Sequence, residues 1–270
     1  MSRFAEQALA WYGRHGRELP WRGGRAPYEI LVSEVMLQQT QVARVIPRYA
    51  AFLARFPTAA GLAAAPAADV IVEWSGLGYN RRALALHRAA SVVAEHGWPP
   101  NVAALEALPG VGPYTAAAVA SFAWEEPLPA VDTNARRVIE RHDGVRRAPS
   151  ALGRRAQELI STRRPAAFNH ALMDLGATVC TARRPRCSEC PLLECRSRGR
   201  VEPAPRRPSG LPVRPRFEDT DRYARGRIHA ALAAGRALPS ELAGLRRERA
   251  LAGLARDGRV VRTEAGARLP

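Results

Sequence analysis

The chain has 270 residues, with 41 basic side chains against 25 acidic ones and a formal net charge of +16. That length buries a full core in one or two domains, and so large an excess of base points to a polyanionic partner, nucleic acid first. Every basic residue is Arg, as a GC-rich coding sequence gives, but such a bias does not account for the excess of base over acid. No charged segment followed by an apolar one opens the chain, so export is not expected. The longest charge-free window, Ala107 to Trp124, is interrupted by Pro109, Gly110, Gly112 and Pro113 and cannot span a bilayer. A soluble cytosolic protein, near the nucleoid, is the expectation.

Residues 4–15, with Phe4, Leu9, Trp11 and Tyr12, read as an amphipathic first helix. Arg17 to Arg22 and a Gly-Gly break follow. Pro27 suits the first turn of a long helix that puts Ile30, Leu31, Glu34, Leu37 and Gln41 on one face. Glu34 is then an acid on an apolar stripe. Desolvation disfavours a charged carboxyl, which keeps a general acid protonated near neutrality; the competing reading is a solvated surface acid.

Helical periodicity continues over 45–56 and 67–74. Gly76-Leu-Gly-Tyr79 makes a sharp connection into a helix over 81–95. Leu108-Pro-Gly-Val-Gly-Pro-Tyr-Thr115 predicts a tight αα-hairpin, with a helix ending near Ala107 and another starting about Pro113. Gly110 and Gly112 let the turn direct backbone N–H groups outward at a helix N-terminus, where a phosphate oxygen is held without side-chain charge. An ordinary Gly-Pro connection is the alternative. Further helices are expected over 136–141, 151–161 and 168–179. With no period-two runs and no repeat, the body is all-α.

Arg196 to Arg216 carries seven Arg and five Pro against one Glu and reads as an extended basic linker. Beyond it, helices are expected over 221–234 and 241–257, the second with Ser240 as N-cap. A small hairpin over 258–262 and 267–269 follows. This tail resembles a winged-helix unit, with a helical pair and a frayed end as the alternative.

The cysteines follow the pattern Cys180-x6-Cys187-x2-Cys190-x4-Cys195. In a reducing compartment such a cluster signals metal rather than disulfides. Four thiolates this close in sequence wrap one compact centre, and spacing alone leaves a [4Fe–4S] cluster and tetrahedral zinc both open. Arg183, Arg184 and Arg186, in the first loop, are expected to face DNA.

Together these residues resemble the helix-hairpin-helix DNA glycosylases of the endonuclease III superfamily, and within it the MutY-type adenine glycosylases, over about residues 5–195. The resemblance rests on Ser33-Glu-Val-Met-Leu-Gln-Gln-Thr40, Gly76-Leu-Gly-Tyr79, the 108–115 hairpin, Val131-Asp-Thr-Asn134 and Met173-Asp-Leu-Gly176 leading into the cysteines. The first motif is specific to the adenine enzymes, whereas the hairpin and cysteines mark the whole superfamily.

The resemblance implies a two-lobed fold: a six-helix barrel over 25–133, a cluster domain from 1–24 and 134–195, and a small C-terminal domain over 217–270. It implies a [4Fe–4S] centre on Cys180, Cys187, Cys190 and Cys195, although the last gap is one residue shorter than is usual in the family. It implies a monomeric enzyme acting on double-stranded DNA with a mismatch or oxidised base, and no membrane partner. Its substrate would be adenine opposite 8-oxoguanine or guanine.

By the same resemblance Glu34 protonates the adenine ring, while Asp132 meets the developing sugar cation or attacks it. Tyr114 and Asn134 orient these groups. Trp21, Arg22 and Leu37 map to the adenine pocket. Gln39, beside Gln38, is wedged into the gap left by the flipped base, and Thr40 and Tyr79 sit beside the opposing purine. Bifunctional members use a hairpin Lys as a Schiff-base nucleophile, where this chain has Tyr114 and no lysine anywhere, which implies a monofunctional glycosylase. His170 stands where the family usually has Gln or Glu at the adenine edge. The tail after Phe217 is too short for the larger domain with which many relatives inspect 8-oxoguanine. A thymine or uracil mismatch glycosylase of the same fold, and a non-catalytic DNA-binding protein, are the competing readings.

Overall fold

The computed structural model of the protein describes residues 2–200, 216–263 and 266–269. In chain order its helices are α1 (Arg3–His15), α2 (Pro27–Leu37), α3 (Val42–Arg55), α4 (Ala59–Ala64), α5 (Ala67–Glu73), α6 (Arg81–His96) and α7 (Val102–Glu106). They continue as α8 (Pro113–Trp124), α9 (Thr133–Asp143), α10 (Pro149–Leu159), α11 (Pro165–Asp174), α12 (Asp221–Ala233) and α13 (Gly244–Arg256). Two short strands, β1 (Val261–Thr263) and β2 (Gly266–Arg268), close the chain as an antiparallel pair, Arg262 opposite Ala267. Among the described residues no helix is long and apolar enough to cross a membrane. The chain divides into two compact units, Met1–Glu34 with Pro99–Arg207 and Val35–Trp98 with Pro208–Pro270.

In the first unit α1 packs Phe4, Leu9 and Trp11 against Val138 and Ile139 of α9 and Phe168 and Leu172 of α11. Ser2 starts α1 by accepting the Ala5 amide on its hydroxyl. Burying each of these large apolar side chains contributes about 2 kcal/mol. In the second unit the ring of Phe52 meets Phe56 at 5.1 Å and Trp74 at 5.8 Å, edge to face. A separate small core of Ile228, Leu242, Leu251, Leu254 and Val260 ties α12, α13 and the hairpin together.

Three local expectations are corrected. The helix from Pro27 does not run to Gln41. It stops at Leu37, Gln39 adopts φ 54, and Gln41 becomes the N-cap of α3. Nor is α2 amphipathic: Tyr28 and the whole run Ile30 to Met36 are buried, so Glu34 lies in a helix enclosed on nearly all sides. Ser240 is not an N-cap. A turn from Pro239 to Leu242 comes first, burying Leu242, and α13 starts at Gly244 with Ala243 at its N-cap. Helix α4, capped by Thr58, is too short for periodicity to reveal. Of the expected linker, 201–215 lies outside the described residues. Residues 196 and 197 turn back onto the end of α9, their amides donating to the carbonyls of His142 and Arg141.

Candidate active site and metal centre

Glu34 is 5% exposed, and its carboxyl is pushed up to about 7, first by burial and then by the negative charge of Asp132. The Tyr114 hydroxyl donates a hydrogen bond to it, and Arg22 lies near enough to pull the other way. These opposing influences leave it half protonated near neutrality. Tyr114 comes from the second residue of α8, so the turn before α8 delivers it to Glu34. Burial holds the Tyr114 hydroxyl well above its ordinary value, so it remains a proton-bearing donor.

Asp132 is the N-cap of α9. Its Oδ1 accepts the amides of Asn134 (2.9 Å) and Ala135 (2.6 Å), and its Oδ2 accepts Asn134 Nδ2 at 2.8 Å. These bonds satisfy two amides of the first turn of α9 that have no partner within the helix. The other end of the Asn134 amide, Oδ1, accepts from Arg137 Nη2 at 2.8 Å. Arg137 also donates to the carbonyls of Gly176 (2.5 Å) and Cys180 (2.7 Å), which joins the Asp132 corner to the first cysteine. Gly176 lies in the π-helical turn Leu175–Val179, and a Cβ there would come within 2.5 Å of Asn134 Cβ. That close approach explains the glycine of Met173-Asp-Leu-Gly176.

Arg22 grips fully buried Asp174 with two guanidinium nitrogens, at 2.8 and 2.9 Å, and Arg17 adds its side chain and backbone amide. Those bonds hold the Asp174 carboxyl below the usual range despite burial. The Tyr12 hydroxyl bonds Arg22 as well. His170 stacks on Phe122 at 4.2 Å, and burial, with the charge of Arg22, lowers it to about 3, so the imidazole is neutral. Trp21 is buried beside Arg22 in sequence. Glu34, Asp132, Tyr114, Asn134, Arg22 and His170 therefore belong to one compact unit.

Leu37, Gln38, Gln39, Thr40 and Tyr79 lie in the other unit, where two loops meet on one side chain. Arg82, 8% exposed, donates to the carbonyls of Val35, Met36, Gln38, Leu77 and Gly78 and to the Thr40 hydroxyl. Its guanidinium also lies over the rings of Trp74 and Tyr79, at 5.6 and 5.4 Å. Gln39 and Tyr79 both take left-handed backbone conformations, φ 54 and 50, which Arg82 helps to hold. Gln39 is exposed at the tip of its turn.

In the hairpin only Gly110 needs to be glycine for backbone reasons, with φ 81. Gly112 is extended (φ −105, ψ −179) and caps α8 without a side chain, and a Cβ there would meet nothing within 4 Å. Gly112 therefore leaves the first amides of α8 without a side-chain cap and does not itself need a left-handed conformation.

All four cysteines line one small pocket. Arg141 Nη1 approaches Cys180 Sγ at 3.4 Å, and Cys195 Sγ lies 3.4 Å from the Arg141 carbonyl. Arg198 ties the loop by donating to the carbonyls of Cys187, Cys190 and Leu192. The short last gap thus does not keep Cys195 from the cavity. The guanidinium groups of Arg141 and Arg198 lie beside the thiols, placed to offset the negative charge of a thiolate-held cluster. Arg186 donates to the Thr178 carbonyl and pairs with Glu189. Arg82, Arg137, Asp174 and Arg198 escaped the sequence reading, because their partners lie far off in the chain or are backbone carbonyls.

Residues 32–162 match the family described as HhH-GPD superfamily base excision DNA repair protein, and residues 180–194 match the iron-sulfur binding domain of endonuclease III. The class is a helix-hairpin-helix base excision repair protein whose cofactor is a [4Fe–4S] cluster, and the cysteine cavity fits it. The chain is 45% identical over 234 residues to the adenine DNA glycosylase of Mycolicibacterium smegmatis, covering 82% of this chain and 78% of that one. It is 45% identical over 279 residues to that of Mycobacterium tuberculosis, covering 96% and 90%. The chain belongs to the adenine DNA glycosylase family. Among solved structures it is similar to a thermostable thymine-DNA glycosylase (TM-score 0.69, 31% identity, 73% of this chain and 96% of that one) and to a trapped endonuclease III–DNA covalent intermediate (TM-score 0.63, 26% identity, 73% and 93%).

The cluster has a direct signature. Purified protein is expected to absorb in the visible through sulfur-to-iron charge transfer, which a zinc site lacks. Cys195→Ser should weaken that band and lower the melting temperature; a colourless wild-type protein containing zinc would refute the assignment.

Proposed function

We propose that this protein excises adenine mispaired with 8-oxoguanine or guanine in double-stranded DNA and leaves the abasic strand uncut. The carrying observation is a buried acid, Glu34, poised at about 7, hydrogen-bonded by Tyr114 and near enough to Asp132 to feel its charge. The N-glycosidic bond is out of reach inside the base stack, so the nucleotide must swing out first. As that bond breaks, its electron pair goes to the base and the sugar becomes oxocarbenium-like. Glu34 gives its proton to the adenine ring, and Asp132, held by the α9 amides and Asn134, offers negative charge to the sugar. Water then adds at the sugar carbon and its surplus proton passes to the Glu34 carboxylate, restoring the acid and yielding free adenine and an abasic site. Trp21, Arg22, Leu37 and His170 are assigned to the adenine, and Gln39, Thr40 and Tyr79 to the gap and the opposing purine. The amides after Gly110 and Gly112 are assigned to a phosphate. Cys180, Cys187, Cys190 and Cys195 would hold the [4Fe–4S] cluster, which would brace the loop beyond α11.

A thymine or uracil mismatch activity is the second reading, favoured by the likeness to the thymine-DNA glycosylase. One panel separates them: base release from duplexes bearing A, T, U or hypoxanthine, each opposite G, 8-oxoguanine and C. Adenine release opposite 8-oxoguanine and G is expected, and release confined to T or U opposite G would refute the proposal. With Tyr114 in place of a hairpin lysine and no lysine in the chain, borohydride should trap almost no covalent complex. High-yield trapping would contradict a monofunctional mechanism.

A further inference from the structure

The short C-terminal tail is not simply appended. Within its compact unit, α12 sits directly on the Gly76–Tyr79 loop. The Arg222 guanidinium lies 4.7 Å from the centre of the Tyr79 ring, and His229 meets the Asn80 side chain at 2.7 Å. Both Asn80 and His229 are buried, and burial, helped by the charge of Arg259, lowers His229 to about 4. A neutral imidazole thus pins α12 to the residue that begins α6, through a short polar contact shielded from water.

The charges around this seam are one-sided. Arg81 is exposed, and its charge, with that of Arg225, bears on Arg259. Arg82 bonds only neutral oxygens, so no acid cancels its charge. Of the acids of the tail, Asp257 is engaged by Arg225 (3.7 Å) and Arg259 (3.0 Å), and Asp221 by Arg249 (3.7 Å), while Glu218 and Asp219 lie exposed just before α12. What remains is a pair of exposed guanidinium groups, Arg81 and Arg222, neither in an ion pair among the described residues, running from the loop onto α12. Guanidinium groups so exposed match a phosphodiester backbone in charge and in donor chemistry.

We infer that the tail enlarges the DNA interface: Arg222 of α12, with Arg81 at the start of α6, binds backbone phosphates beside the strand contacted by the Tyr79 loop. This inference rests on the proposed DNA function but concerns affinity rather than base removal. It also gives the tail a role that its small size would not suggest. Contacts to phosphate carry no sequence information, so the contribution is the same whatever base stands opposite the adenine.

The test is the salt dependence of duplex binding by the full-length protein, measured for wild type, Arg81→Ala/Arg222→Ala and Arg227→Ala. Arg227 lies on the same helix but is paired with Glu241 at 2.8 Å. Each lost phosphate contact should reduce the slope of log K against log salt by roughly one, so the double variant should lose about two and bind several-fold more weakly to duplexes with A opposite G, A opposite 8-oxoguanine, and no mismatch. Arg227→Ala should keep the wild-type slope. An unchanged slope in the double variant, or an equal loss in Arg227→Ala, would overturn the inference. Arg81→Gln/Arg222→Gln, checked by thermal melting, guards against misfolding, and hydroxyl-radical footprints of wild type against this variant read the same contacts independently. If wild type releases no adenine yet the slopes differ as stated, the enzymatic proposal fails and this one stands.

Discussion

Glu34→Gln should release adenine at least about 10²-fold more slowly than wild type under single-turnover conditions, because a general acid typically supplies 10²–10⁴-fold. An amide has nearly the same shape and can still accept the Tyr114 hydrogen bond, but it has no proton to give. The pH profile should separate chemistry from structure. Glu34 holds its proton until about 7 in the fold, so wild-type base release should fall as pH rises through that value, and this limb should vanish in the variant's residual rate. Stability of the wild type should fall over the same rise in pH. The folded carboxyl keeps its proton to higher pH than the unfolded one, so the fold has the full benefit of that proton below about 4.5 and loses it as pH climbs to about 7. At about pH 8 wild type therefore bears the whole cost of a charged, buried carboxylate, on the order of 3 kcal/mol, and the glutamine does not. Urea unfolding should find Glu34→Gln more stable than wild type at about pH 8, with the gap closing toward about pH 4.5. A variant that is less stable throughout and retains full activity would remove Glu34 from the mechanism.

Asp132→Asn should abolish measurable base release while leaving duplex affinity within about threefold. The reasoning is geometric. Asn caps helices as well as Asp does, so its amide oxygen can keep the bonds from the Asn134 and Ala135 amides that Asp132 Oδ1 now accepts. What it cannot keep is the negative charge beside the sugar, nor the bond from Asn134 Nδ2 to Oδ2, since two amide nitrogens would then face each other. A loss of two to four orders of magnitude in rate is the expected scale for removing charge stabilisation from an enclosed site. Fluorescence-anisotropy binding and single-turnover kinetics on the same preparation decide it. Parallel losses in affinity and rate would mark Asp132 as a structural cap alone.

Sequence periodicity located most helices because long elements repeat their apolar positions every three or four residues. It overlooked α4, with only six residues, and overextended α2, where the left-handed turn at Gln39 interrupts a run that composition would let continue. The two acids were legible from Ser33-Glu-Val-Met-Leu-Gln-Gln-Thr40 and Val131-Asp-Thr-Asn134. The arginines that support the surrounding structure were not. Arg82 and Arg137 look like any surface charge until the chain folds, since their acceptors are mostly backbone carbonyls, many of them some 40 residues away. Arg198 sat in a stretch whose Pro and Arg content read as linker, yet it holds three carbonyls of the cysteine loop.

The residue types alone determined that this chain is a basic, mainly helical protein with two separated acids, a glycine hairpin lacking lysine, and four thiols within sixteen positions. Those are local or compositional properties, and they survive without knowing what touches what. Only the tertiary structure decided that Glu34 is enclosed on nearly all sides and shares a compact unit with Asp132, that Cys195 reaches the common cavity despite its short spacing, and that α12 lies against Tyr79. The reason is that desolvation and charge coupling depend on distances between residues remote in the chain, and a linear pattern carries no record of those distances.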